Sequence, residues 1–189
     1  MRTKRLFIGL ILTAAPLFGQ ALMLQIDPET THIDYTLGDV LHTVRGSFHL
    51  KQGEIRIDPS SNVASGLLVV DAASGASGNT ARDTRMHKNV LESEKYSEIT
   101  FAPDRIIGKL NTDGPSEVQL HGTFTIHGAP HELTMPVHAE LARDHISATA
   151  NFPVPYVKWG MKNPSTLILR VKDTVQIEMK IDGRVLPAS

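Results

Sequence analysis

The sequence predicts an all-β protein, an eight-stranded antiparallel barrel with one short helical insertion around residues 78–92. Three observations predict it. Apolar and polar residues alternate with period two from Ile26 almost to the C-terminus, which marks strands with one buried and one wet face. Turn-forming residues recur between the alternating runs. A single stretch switches to helical spacing. Long antiparallel strands must hide their edges, and closing the sheet on itself does so.

Taken in order, Ile33, Tyr35 and Leu37 alternate with His32, Asp34 and Thr36, and Val44, Gly46, Phe48 and Leu50 alternate with Arg45, Ser47, His49 and Lys51. Gly66 to Val70 is apolar on both faces, which predicts a strand covered on its outer side as well. Ser97 to Leu110 reads as a strand region interrupted at Pro103. Val118, Leu120, Gly122, Phe124 and Ile126 form one row, and Leu133, Met135, Val137, Ala139 and Leu141 the next. Ile146 to Phe152 and Val175 to Ile181 repeat the pattern. Gly53, Asp58-Pro59, Asp113-Gly114, Gly128-Ala129-Pro130 and Arg143-Asp144 supply turns. With no repeat and no linker, residues 22–189 read as one domain, long enough for a sizeable core.

Gly78 to Tyr96 breaks the rhythm, with Ser77 or Asn79 as the candidate cap. Arg82, Met86 and Val90 are spaced four apart, and Asp83, His87 and Leu91 follow one step round, so both rows share a side of a helix. That stripe is polar at its start and apolar at its end. Pro153 to Ser165 reads as a packed loop carrying Trp159.

The first residues read as a leader. Arg2, Lys4 and Arg5 precede an almost wholly apolar run from Leu6 to Phe18, and Gly19-Gln20-Ala21 offers a small-residue cleavage site. Residues 1–21 are therefore expected to be a cleaved secretory signal peptide, the apolar run being short for a retained membrane span. The mature protein is expected to be periplasmic or secreted. The absence of cysteine excludes a disulfide framework and a lipid-modified cysteine. The net charge is −1 for the full chain, and about −4 once the three cationic residues of the leader are gone. Neither value suits nucleic acid, which needs a basic face.

No catalytic constellation emerges: there is no Gly-x-Ser-x-Gly elbow, no phosphate-cradling glycine loop and no nucleophilic cysteine. His121, His127, His138 and His145 fall on polar strand faces, where solvated histidine is expected. His127 and His131 flank a Gly-Ala-Pro turn, and nothing fixes them on one surface as metal ligands. No catalytic or metal site is assigned, and the protein is not expected to be an enzyme. Small barrels are either filled or hold one small ligand. The small residues Gly46, Gly122, Ala139, Ala148 and Ala150 on inward rows leave room, and packing against larger neighbours accounts for them equally. Arg82 and Asp83 have two readings. They either pin the helical segment to the barrel or hold a ligand's head group, a role that suits arginine's planar donors, while Met86, Val90 and Leu91 touch its tail. Trp159 is either a core plug or a ligand stack.

The stretch HIDYTLGDVLHTVRGSF at 32–48, Asp58-Pro59, GNTARDTRMHKNVLESEKYSEITF at 78–101 and LHGTFTIHG at 120–128 together resemble the YceI-like family. The likeness runs from about Ile26 to Val185. It implies a lipocalin-like barrel whose interior holds a long apolar chain, such as a polyisoprenoid, an isoprenoid quinone or a fatty-acid derivative. By position, Arg82 and Asp83 match the family's Arg-Asp pair, and Phe48 and Phe101 match aromatic barrel positions. Met86-His87, Val90-Leu91-Glu92 and the 155–161 segment depart from the common pattern. The expected ligand contacts are Phe48, Leu68, Arg82, Asp83, Met86, His87, Val90, Leu91, Phe101, Phe124 and Trp159. The expected partner is an apolar small molecule. The alternatives are a filled-barrel stress-response or interaction module, and a histidine-based metalloenzyme or hydrolase.

Overall fold

The computed structural model describes residues 21–38, 43–166 and 170–187, so residues 1–20 of the expected leader lie outside the described part. The alternating runs become strands β1 (Leu22–Ile26), β2 (His32–Gly38), β3 (Thr43–Asp58), β4 (Val63–Ala76), β5 (Glu98–Ile107), β6 (Gly114–Ile126), β7 (Ala129–Ala142), β8 (His145–Val154) and β9 (Val175–Pro187). All pairings are antiparallel. From β3 to β9 the neighbours follow chain order, and β1 and β2 close the ring by each pairing with both β3 and β9.

Nine strands thus make an eight-place barrel, because β1 and β2 lie end to end in one place. Ile26 stands opposite Gly53 and Ile33 opposite Phe48. The surplus residues loop out at Asp27 to Thr31, where the Thr31 amide donates to the Asp27 carbonyl at 3.1 Å. The sequence reading began at Ile26 and missed β1. Its residues, Leu-Met-Leu-Gln-Ile, alternate too little to declare a face.

Three expectations need correction. Gly53 is not a turn. It lies inside the 16-residue β3, where the register against β4 shifts between Leu50 and Gln52. That bulge moves the inward row from Leu50 onto Gly53, Ile55 and Ile57. A Cβ on Gly53 would come within 2.8 Å of Ile26 and Leu68, so the glycine permits close packing. Pro103 does not interrupt its strand either: β5 continues through a bulge between Pro103 and Arg105, a position where a missing N–H is tolerated. Outer cover over Gly66 to Val70 is partial, with Val69 3 % exposed but Leu67 37 % exposed.

The insertion comprises a short helix, α1 (Thr80–Arg85), and a π-helical turn, Met86–Leu91. Asn79 is the cap, its side chain accepting from the Arg82 amide at 3.0 Å. Glu92, with a left-handed φ of 48°, ends the turn, and its N–H donates to the His87 carbonyl. The insertion, the β6–β7 turn and the described parts of the β8–β9 connection, residues 155–166 and 170–174, lie at one end of the barrel, here called the upper end. Short turns after β3, β5 and β7 close the other. Of the packed loop expected over Pro153 to Ser165, Pro153 and Val154 belong to β8 and only the part to Met161 is compact: Tyr156 and Met161 are buried, and the Tyr156 hydroxyl donates to the Lys172 carbonyl at 2.7 Å. Burial holds that phenol's pKa up at about 12.

Candidate functional site

The inward rows enclose an apolar channel along the barrel interior. The cavity has a volume of about 90 Å³. It is therefore a slender passage and not a broad chamber. Thr100 and Thr149 are its only polar lining residues among those described, and no charged side chain reaches it. Ala139, Ala148 and Ala150 do line it, as their size suggested. Gly46 and Gly122 do not. A Cβ on Gly46 would strike the Ala76 carbonyl and the Tyr35 ring, and one on Gly122 would strike the β5 backbone at Ala102. These two glycines allow close approach instead of leaving space.

Of the expected ligand contacts, Leu68, Phe101 and Phe124 line this channel. The others lie outside its lining, on two rims at the upper end of the barrel. On the helical rim, the Ser77 amide donates to Asp83 Oδ1 at 3.0 Å, and the Ser77 hydroxyl donates to the same oxygen. Arg82 Nε donates to the Ser77 hydroxyl oxygen at 2.7 Å, and its Nη2 donates to the Ser77 carbonyl at 3.0 Å. Burial works against the Asp83 charge. The Ser77 hydrogen bonds, with Arg82 and His87 nearby, outweigh it and hold the carboxyl below the usual range. His87 Nε2 lies 2.8 Å from the Gly75 carbonyl, and its Nδ1 lies 3.2 Å from Ser93 Oγ. A carbonyl can only accept, so Nε2 carries a proton. The Phe48 ring and the Met86 methyl both lie against Gly75. Phe48 also packs on Tyr35, with ring centroids 5.5 Å apart. Leu91 is buried, Val90 is half-buried and the Arg82 side chain is exposed.

The opposite rim is aromatic. Phe124 lies 6.2 Å from Phe152 and 5.7 Å from Trp159, and Trp159 stacks on His131 at 4.2 Å with only 6° between the ring planes. His131 was not among the expected contacts. Strand pairing sets it opposite Phe124, so it continues the inward row of Leu133, Met135 and Val137 across the turn. The signal was present: one more step of period two from Leu133 reaches His131. Its Nε2 is buried with no hydrogen-bond partner among the described residues, and burial lowers its pKa. The insertion braces this rim through Tyr96, whose ring packs on His127 at 4.5 Å with the planes tilted by 51°, and which also lies against Gly128.

The other histidines lie elsewhere. His138 and His145 are half exposed, as expected of polar faces. His121 is not solvated: only 13 % of its side chain is exposed, Nδ1 lies 2.8 Å from Asp104, and Nε2 lies 3.1 Å from Glu132. Asp104 sits in the β5 bulge and Glu132 on β7, so the trio is assembled by strand register and not by sequence spacing. Among the described residues it is the one group of this kind whose ligand atoms, within 4.8 Å of one another, could meet a cation. Each ring nitrogen faces a carboxylate, so the trio bridges β5, β6 and β7 on the outer wall.

The family model for the YceI-like domain matches residues 24–182. Compared with curated proteins, the chain has no match. Among solved structures, BcnA of Burkholderia cenocepacia is similar at a TM-score of 0.68 and 17 % identity, covering 83 % of this chain and 98 % of its own. A polyisoprenoid-binding domain from Saccharophagus degradans, implicated in plant cell wall breakdown, is similar at 0.66 and 15 % identity, covering 86 % and 98 %. A YceI protein of Campylobacter jejuni follows at 0.57 and 14 % identity, covering 97 % and 90 %. At these identities the likeness concerns the fold. No helix among the described residues is long and apolar enough to cross a membrane.

Proposed function

The chain belongs to the YceI-like family, and on that footing we propose that it is an exported, non-enzymatic binding protein that carries or sequesters a long-chain isoprenoid or lipid-like amphiphile. The observation that carries the reading is the channel: slender, apolar and free of charged side chains. A flexible chain suits such a passage better than a rigid fused ring system. Each CH₂ buried contributes about 0.8 kcal/mol, so the tail supplies the affinity while a few polar groups at the mouth set its orientation. A similar fold described as polyisoprenoid-binding agrees with this cargo. Phe48, Met86, Val90 and Leu91 suit contacts to the part of the chain emerging beside the helical rim.

The test is extraction with organic solvent of the protein purified from its native host, followed by mass spectrometry. An amphiphile with a long apolar chain is expected. Finding none, together with no uptake of added quinones or fatty acids, would sink the proposal. Export has its own test: N-terminal sequencing of the cell-envelope or secreted fraction is expected to find the chain beginning near residue 22.

A further inference from the structure

We propose that His131 is the head-group seat of this site, and that it selects an uncharged hydrogen-bonding head, a hydroxyl, amide or carbonyl, over a phosphate or diphosphate. The inference rests on the reading that the channel holds an apolar chain, and it names the class of molecule to which that chain is attached.

Four observations carry it. First, His131 is on the inward face directly across from Phe124, and Phe124 is part of the channel wall. A head group at the upper end of a chain running past Phe124 arrives at His131. Second, the parallel stack on Trp159 at 4.2 Å fixes the imidazole plane, so the nitrogen is preorganised. Third, Nε2 is buried and unpartnered. Leaving a buried polar atom unsatisfied is costly, and native proteins satisfy the great majority of such atoms. The other nitrogen of this kind, His127 Nε2, lies 3.6 Å from the Glu92 carboxylate and so has a charged neighbour, whereas His131 Nε2 has no hydrogen-bond partner among the described residues. Fourth, burial alone depresses the His131 pKa, which keeps the ring neutral at pH 7. A neutral imidazole nitrogen accepts from a hydroxyl or amide N–H in one tautomer and donates to a carbonyl in the other.

The same features disfavour an anionic head. A buried phosphate needs paired positive charge, and the channel lining offers none. Arg82 suits phosphate by chemistry, but its Nε and Nη2 are committed to Ser77 on the opposite rim.

Trp159 is the chain's one tryptophan, so its fluorescence reports on His131 directly. The probes are geranylgeraniol, geranylgeranyl diphosphate and phytane; they share an isoprenoid carbon skeleton, the alcohol and the diphosphate differ in the head alone, and phytane is saturated and has no head. Wild-type protein is expected to bind the alcohol at least about tenfold tighter than the diphosphate, the penalty of an unpaired buried charge. His131→Phe, which keeps a ring against Trp159, is expected to bind phytane as wild type does and to lose about fivefold for the alcohol, the worth of one hydrogen bond. A diphosphate that binds as tightly as the alcohol overturns the inference. So does an alcohol affinity unchanged in His131→Phe. In either case phytane binding leaves the apolar-chain reading standing. If none of the three binds the wild type, that reading fails and this inference goes with it. Should His131→Phe not fold, the wild-type ranking of alcohol and diphosphate decides alone.

Discussion

Each rim of the barrel mouth carries a histidine beside aromatic side chains, yet the two are finished differently. On the helical rim the side chains bond one another and the backbone: Asp83 Oδ1 accepts from Ser77, Arg82 donates to Ser77, and His87 joins Gly75 to Ser93. On the aromatic rim, His131 lies flat on Trp159 with a buried nitrogen that no described residue answers. A saturated network rigidifies, and an unsaturated one asks for a partner. The family's Arg-Asp pair therefore holds the insertion in place through its direct bonds, while the opposite rim retains hydrogen-bonding capacity for a ligand.

Substitutions can break or sharpen this contrast. The largest effect is expected at Asp83→Ala, which removes a carboxylate that accepts twice from Ser77 and leaves Arg82 without its negative neighbour. A loss of about 2–3 kcal/mol in urea unfolding is expected, and no loss would mean that the helical rim is not structural. His87→Leu removes the bonds to Gly75 and Ser93 and leaves a half-buried carbonyl without its donor. About 1–2 kcal/mol is expected there. His131→Phe in the ligand-free protein removes an unanswered nitrogen, and is expected to leave the thermal midpoint unchanged or slightly raised. A loss as large as that of His87→Leu would erase the distinction between the rims.

The smallest effect is a pH dependence. The His131 pKa is lowered in the folded protein, so between the unfolded value of about 6.5 and the folded one the unfolded chain binds more protons. Stability from this group is present above pH 6.5 and is lost as pH falls towards the folded pKa. Unfolding of wild type and His131→Phe, compared from pH 7.5 down to 5, is expected to show the wild type losing more. Parallel curves would deny His131 its burial effect.

The barrel was legible because period two is a local signal. The rows from Val118 to Phe152 fall inward as read, and the insertion lies where helical spacing appeared. What escaped was non-local. Gly53 resembles a turn until β1 is seen pressing against it, and β1 is itself too short and too uniformly apolar to show a phase. The Asp104–His121–Glu132 bridge depends on a bulge and on two strand registers, neither of which spacing along the chain can show. His131 was within reach, but the turn signal at Gly128-Ala129-Pro130 drew the boundary of the row one residue pair too late. The lining at Leu68, Phe101 and Phe124 was anticipated, whereas the bonds of Arg82 and Asp83 to Ser77 needed coordinates.

The shared place of β1 and β2 has a consequence for how the wall is sealed. Between β3 and β9 the barrel is fastened by two separate clasps: β2 fastens the upper half, and the five residues of β1 fasten the lower. Leu24 and Ile26 on the lower clasp face the channel, and the Asp27 to Thr31 excursion uncouples the two. Releasing β1 would leave a ring still closed above and a lateral slit below, flanked by Gly53 to Ile57 and by Gly183 to Pro187. The barrel thus has a seam along its side as well as a mouth at its end, and the seam's strength is set by one short ladder on either edge of β1.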